Sequence, residues 1–358
     1  METLVQTIIT TGDALGLWDT YSLLLERLTR GRARIICFHR VADDKPYPWM
    51  PLGSIRLGEF ENRISYICSK YKLLTLQELA ERILRREPLL QDSMVLTFDD
   101  GHKDMYFNAY PVLRKYGAPA TVFLTTGHMG TGELFWWDKI GYVVYNSRLD
   151  MIELDGVSLS IRTTEEKRKT VDALVAEADT GSEDQKKMLI NNLATAGGVK
   201  IPDGLGEKLN LSWSEIHAMS SNGIDFGAHT VTHPVLTRAS LQQAKYEIFQ
   251  SKVEIENRLN KQVTAFAYPR GMLGDFNAQT VALLKQAGFK CAVTGIPGMI
   301  SQQTDPYKFG RIAPGDNRHA FKFLASGLYY DLRAQRTMMK TRFCRHTWNR
   351  NQIKLNDR

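Results

Sequence analysis

Between Arg34 and Ala313 short apolar runs alternate with helix-like segments, a rhythm that points to a mostly parallel sheet, open or closed. The runs are Arg34–Val41, Met94–Phe98, Ala120–Leu124, Ile224–Ala228, Val263–Tyr268, Phe289–Thr294 and, as a last strand, Lys308–Ala313. Helical spacing is read between them over 57–70, 76–87 and 104–116, from Ser212 to Gly223, from Ser240 to Leu259 and over 278–287. Ser212 with Glu215, and Ser240 with Gln243, are capping-box pairs that start two of these helices. The residues with chemical potential all follow strands: His39, Asp99 and Asp100, His229 and His233, and the Pro269-Arg270-Gly271 turn. A (β/α) barrel gathers the C-terminal ends of its strands at one mouth, which an open sheet does less naturally.

The second run, Met94 to Gly101, reads MVLTFDDG. It is a strand whose tip carries two adjacent carboxylates, followed by a glycine turn. Alone, it is also compatible with a solvated Asp-Asp-Gly turn. The partners for these acids are in HTVTH, residues 229–233. Two His separated by three residues, with Asp100 as third ligand, make a facial metal site. Three protein ligands leave positions open for water and substrate, as in catalytic centres. Asp99, left uncoordinated, suits a general base. His39, at a strand tip and free of the metal, suits the acid that protonates a leaving nitrogen. Backbone N–H groups around Pro269, Arg270 and Gly271 suit an oxyanion.

TFDDG (97–101) together with HTVTH resembles the polysaccharide deacetylases of carbohydrate esterase family four, from about Ile35 to Pro314. The resemblance implies a distorted (β/α) barrel of six to eight mostly parallel strands. It also implies metal-dependent hydrolysis of an N-acetyl amide on a sugar, most often with Zn2+. In the family pattern the first Asp is the base and the second a ligand, here Asp99 and Asp100, with His229 and His233 on the metal. Two departures stand out. The family's R-P-P-Y-like motif is replaced by Ala267-Tyr-Pro-Arg270, so its base-orienting Arg is missing. The usual C-terminal L-x-H acid motif is absent, since His319 lacks that context. ICFHRV, however, resembles the Y-H-x-V motif of a permuted-motif subgroup that includes biofilm poly-N-acetylglucosamine deacetylases, which moves the acid role to His39. Arg311, in a late strand, is the candidate replacement for the missing Arg. A catalytically silent carbohydrate-binding protein is the alternative function, and intact base and ligands distinguish the enzyme from it.

Three segments surround this core reading. Residues 1–33 form an N-terminal helical segment, packed on the body or lying in a membrane interface. Residues 34–330 form the barrel, with a helical insertion at about 127–211 over the site. Within it, Trp136 and Trp137 either line a sugar groove or fill core. Residues 331–358 are a basic tail: positions 333–358 hold eight Lys or Arg and one acid, while the rest balances at 38 basic and 38 acidic residues. No nucleic-acid recognition motif accompanies that charge. The tail is therefore expected to meet an anionic membrane surface. The four cysteines are widely spaced, without a C-x-x-C pair, which suggests neither a zinc ribbon nor a dense disulfide framework. Asp13, Asp19 and Glu26 interrupt any apolar leader. The expected location is cytoplasmic, free or peripheral on the inner membrane face, with an N-acetylated sugar substrate that is either lipid-linked or a cytoplasmic intermediate.

Overall fold

The computed structural model describes residues 2–21, 31–42, 49, 54–315 and 317–332. The basic tail from Arg333 and the stretch containing Leu24, Arg27, Leu28 and Arg30 lie outside the described residues.

Seven barrel strands follow one another in chain order: β1 (Ala33–Phe38), β2 (Ser93–Phe98), β3 (Ala120–Leu124), β4 (Ile224–Ala228), β5 (Ala265–Ala267), β6 (Cys291–Pro297) and β7 (Phe309–Arg311). Each pairs with the next in parallel. A parallel bridge between Ile36 and Ile312 brings the last strand back beside the first. Cys37 N–H donates to Ile312 O (3.0 Å), and Ile312 N–H to Ile35 O (2.7 Å). The expected (β/α) barrel is thus present, with distortions. β4 and β5 share a single paired position, Phe266 with Ala228, and β6 and β7 slip register between Val293 and Pro297. The strand Lys72–Leu73 adds to the start of β2.

Alternation along the strands decides what the barrel holds. Ile35, Val95, Phe123, Ala265, Val293 and Phe309 share one buried cluster with Leu76, Leu79 and Ile83 of the helix Leu76–Leu84. These residues fill the barrel, and the helix plugs its lower end. Ile36, Phe38, Leu96, Phe98 and Val122 pack on the opposite face with the surrounding helices, among them Phe60, Ile64 and Ile67 of Leu57–Lys70. Continuing the inward set upward by two residues gives Cys37 and His39 from β1, Thr97 and Asp99 from β2, and Arg311 from β7. The polar layer at the mouth follows from strand periodicity.

Element edges differ locally from the sequence reading. The helix expected over 104–116 opens with a wide turn, Met105–Ala109, ahead of Pro111, which has no N–H to give. Two helices were not anticipated: Trp136–Asn146 and Arg318–Ser326. The latter supports the N-terminal helix Glu2–Ala14: Asp13 pairs with His319 (2.5 Å) and Lys322 (2.7 Å), and Trp18 packs edge-on against Phe323 at 4.9 Å. The segment after β3 carries its own apolar cluster, with Ile140, Val143, Leu174 and Leu193 from three helices and Ile152 from a hairpin. That hairpin, Met151–Leu154 with Val157–Ser160, turns at Asp155-Gly156 with both φ angles positive. Among the described residues no helix is long and apolar enough to cross a membrane.

Candidate active site

The strand tips surround a cleft of ≈1320 Å3 lined by His39, Asp99, Asp100, His229, His233 and Arg311, and by the tryptophans 136 and 137. The chain leaves β2 through Asp99 and bends at Asp100, whose φ of 75° is in the left-handed region, as is that of Gly101 at 84°. This bend sends the two neighbouring carboxylates to different partners. Left-handed backbone at non-glycine residues costs of order 1–3 kcal/mol each and concentrates at functional sites. It recurs at Thr230 (φ 67°) and His233 (φ 63°), in the 229–233 loop.

Glu247, fully buried in the helix Leu241–Leu259, fixes that loop. Its Oε2 accepts from the N–H groups of Val231 (2.7 Å) and Thr232 (2.9 Å), and its Oε1 accepts from the Thr232 hydroxyl (2.7 Å). Thr230 Oγ1 accepts from His233 N–H at 3.0 Å, which curls the two rings toward one point. His229 Nδ1 lies 2.7 Å from Ala267 O. With a carbonyl there, Nδ1 carries the proton and Nε2 is the free donor atom. Burial and His229 together push His233 down to about 3, so its ring is neutral.

His229 Nε2 and His233 Nε2 stand 3.6 and 3.5 Å from Asp100 Oδ1. All three donor atoms lie within 4.8 Å of one another. Metal–ligand bonds of about 2.0–2.2 Å at a tetrahedral angle place ligand atoms roughly 3.3–3.6 Å apart. The donors therefore suit a divalent ion in type and in separation. The other oxygen, Asp100 Oδ2, is held by His102 Nε2 at 3.1 Å. Burial pushes the Asp100 carboxyl up, but the His102 hydrogen bond and charge and the neighbouring His rings bring it well below the usual range. His102 is 2% exposed. It follows the DDG motif directly, yet sequence reasoning passed over it because nothing in the spacing marks a residue that acts by holding another side chain. Glu247 was missed for the same reason.

Asp99 is 3% exposed and faces a different set of groups. Arg311 grips it with two hydrogen bonds, Nη1 to Oδ1 and Nη2 to Oδ2, both 2.7 Å. Arg311 Nε donates to Thr294 O at 2.9 Å, which fixes the plane of the guanidinium. Burial pushes Asp99 up, but the Arg311 and His229 charges and the Arg311 hydrogen bonds outweigh it, and the carboxyl comes down to about 2. His39 Nε2 is 3.9 Å from Asp99 Oδ2, with half of its side chain open to the cleft. Cys37 Sγ donates to the same oxygen at 3.5 Å.

The third turn is narrower in capacity than its sequence suggests. Pro269 has no N–H, and Gly271 N–H closes the turn onto Pro269 O at 2.6 Å. A side chain at Gly271 would meet Gly295 N at 2.6 Å, and φ is 63°, so the turn requires glycine. Arg270 N–H is the donor left over. The Arg270 side chain points away to Asp179 (2.8 Å) of the helix Thr164–Thr180, tying turn to insertion. Trp137 stacks on Phe135 at 4.6 Å and meets His233 edge-on at 5.0 Å. Trp136 lies under the Lys186 ammonium at 5.0 Å. Both tryptophans are half-buried and line the cleft.

A family model described as polysaccharide deacetylase matches residues 86–292, more than half of the chain. The chain belongs to the polysaccharide deacetylase family. Among its relatives, YxkH of Bacillus subtilis, named for the same family, is 23% identical over 266 residues, 74% of this chain and 67% of that protein. The poly-beta-1,6-N-acetyl-D-glucosamine N-deacetylase of Staphylococcus aureus is 38% identical over 78 residues, 22% of this chain and 27% of that enzyme. The Streptococcus pyogenes deacetylase PplD, solved with acetate, shares the fold at a TM-score of 0.54 and 21% identity, over 80% of this chain and 93% of that one. IcaB from Ammonifex degensii does so at 0.52 and 17%, over 83% of this chain and 96% of that one. The deacetylase match contains Asp99, Asp100, His229 and His233. His39 and Arg311 lie outside it, after the first and on the last barrel strand; direct pairing of β1 with β2 brings His39 to the matched residues, and barrel closure brings Arg311.

Proposed function

We propose that this polysaccharide deacetylase hydrolyses the N-acetyl amide of an amino sugar in surface-polysaccharide or glycolipid biosynthesis, using a divalent ion, Zn2+ by its donor set. One observation carries the reading: Asp99, clamped by Arg311, sits in the same cleft as the convergent donors of Asp100, His229 and His233. A silent sugar-binding protein would not need a buried, oriented base beside three ligand atoms.

Asp100, His229 and His233 would hold the ion. When bound, it supplies Lewis acidity, lowering the pKa of water and polarising the acetyl carbonyl. The protein's own groups do the rest. Arg311 keeps Asp99 ionised and aimed, so Asp99 accepts the proton of the attacking water. Arg270 N–H donates to the oxygen on which negative charge develops. His39, as in the permuted-motif order, gives a proton to the departing nitrogen from the open side of the cleft. Trp136 and Trp137 offer ring faces to the pyranose. The tail from Arg333 would hold the protein on the anionic inner leaflet, which favours a lipid-linked sugar, at about 1 kcal/mol per basic residue near the surface.

Acetate release across a panel of free and lipid-linked N-acetyl sugars, with and without chelator, tests the activity. Chelator-sensitive release is expected; release unaffected by chelator contradicts the metal assignment. Co-sedimentation with anionic liposomes tests the location, and a chain truncated before Arg333 that still binds contradicts the role of the tail.

A further inference from the structure

Beside the ligand triad there is a second convergence of metal-binding atoms. Cys37 Sγ, His39 Nε2 and an Asp99 carboxylate oxygen all lie within 4.8 Å of one another. Cys37 and His39 are two residues apart at the top of β1, so strand alternation turns both to the barrel interior. Asp99 follows β2, whose Phe98 pairs with Phe38, and Asp99 N–H donates to Phe38 O at 3.0 Å. Backbone pairing therefore fixes the three donors relative to one another.

The separations from Asp99 are close to those of a coordination sphere. A tetrahedral ion with a metal–sulfur bond of about 2.3 Å and metal–oxygen or metal–nitrogen bonds of about 2.0–2.2 Å spaces its ligands roughly 3.3–3.8 Å apart. Asp99 Oδ2 is 3.5 Å from Cys37 Sγ and 3.9 Å from His39 Nε2. Arg311 takes one acceptor site on each Asp99 oxygen. A carboxylate offers about four, so the edge facing Cys37 and His39 has room for an ion. His39 is half open to the cleft, giving a path in.

We propose that Cys37, His39 and Asp99 form a second, thiolate-containing site for Zn2+ or a similarly soft divalent ion, and that its occupation switches the enzyme off. Binding exchanges the Cys37 thiol proton, which leaves to solvent, for a sulfur–metal bond. It also captures Asp99 and His39, the groups that the proposed reaction uses as base and acid. The inhibition rests on the deacetylase reading; the site itself does not. The donor sets differ in a useful way. Sulfur is present in the second site and absent from the first, so thiophilic ions distinguish them.

The test is a Co2+ titration of the full-length, chelator-stripped protein, followed by ultraviolet absorption and metal content. Wild type is expected to bind two cobalt ions per chain, with a thiolate-to-cobalt charge-transfer band accompanying one of them. Cys37→Ser is expected to bind one ion with no such band, and Cys37→Ala serves if the Ser variant misfolds. His229→Ala is expected to keep the band while losing the other ion. In parallel, acetate release is measured against rising Zn2+, each variant relative to its own uninhibited rate. Loss of a mere supporting residue weakens metal binding about 10–100-fold, so loss of the sulfur ligand is expected to raise the inhibitory Zn2+ concentration at least about tenfold. One cobalt per chain without a thiolate band in wild type overturns the site, whatever the activity. A band with unchanged zinc sensitivity in Cys37→Ser overturns the switch. If no sugar is deacetylated by any variant, the cobalt measurement still decides the site.

Discussion

Arg311 and Asp99 are 212 residues apart in sequence and share two hydrogen bonds of 2.7 Å in the barrel interior. Parallel strand closure makes this meeting. Asp99 follows β2, Arg311 ends β7, and β1 lies between them, paired to both. Position 267 on β5 holds Ala, and the guanidinium that meets Asp99 comes from β7 instead.

Removing the clamp should move the pH profile of the reaction. In Arg311→Ala only burial and weaker charges act on Asp99, so its pKa rises from about 2. The acid limb of kcat/KM is expected to shift to higher pH. At neutral pH, misorientation of the base should lower kcat by about 10²-fold or more. Arg311→Lys keeps the charge without the fork and should fall between the two. Profiles of kcat/KM against pH for the three proteins check this, and an unshifted acid limb in Arg311→Ala would count against the assignment.

The same pair contributes acid-sensitive stability. The folded-state pKa of Asp99, about 2, is depressed below its unfolded value, so the contribution is fully present above about pH 4 and is lost as pH falls toward 2. The size is about 2 kcal/mol. Metal-free wild type and Asp99→Asn should therefore differ most in thermal midpoint above pH 4 and converge toward pH 2. A constant difference across that range would contradict the linkage.

Glu247 should matter to the metal without touching it. Glu247→Ala frees two backbone N–H groups and a hydroxyl in the 229–233 loop. Metal affinity is expected to fall about 10–100-fold. Isothermal titration of the chelator-stripped protein measures it, and wild-type affinity in the variant would refute the role.

Trp137 is placed to act on binding rather than on chemistry. Trp137→Ala removes a ring face worth about 1 kcal/mol, so KM should rise roughly fivefold while kcat stays near wild type. Steady-state kinetics on an oligosaccharide substrate separates the two, and a fall in kcat with unchanged KM would place the ring elsewhere in the reaction.

The sequence carried the parts of this molecule that depend on local pattern. The apolar runs located all seven barrel strands, three of them leading into acids or His, and the motif pair TFDDG and HTVTH marked the convergent donors of Asp100, His229 and His233. Contacts that depend on closure were harder. Nothing near Arg311 shows which inward neighbour it meets, because the answer lies in the register of β7 against β1. His102 and Glu247 act through other residues, and their types are ordinary for a loop and a helix. The helix Trp136–Asn146 was hidden by its aromatic start, which reads equally as groove or core; it proves to be a helix whose first residues face the cleft while Ile140, Val143 and Val144 turn inward.

The account stands most directly on the separate roles of two adjacent acids and one histidine. Acetate release from a chitooligosaccharide or another N-acetylated amino sugar that wild type accepts, measured with bound metal for Asp99→Asn and His229→Ala, tests them together. Asp99→Asn is predicted to keep its metal and lose about 10²–10⁴-fold in rate. His229→Ala is predicted to lose metal and activity together. Acetate release at the wild-type rate by either variant would contradict the central claim.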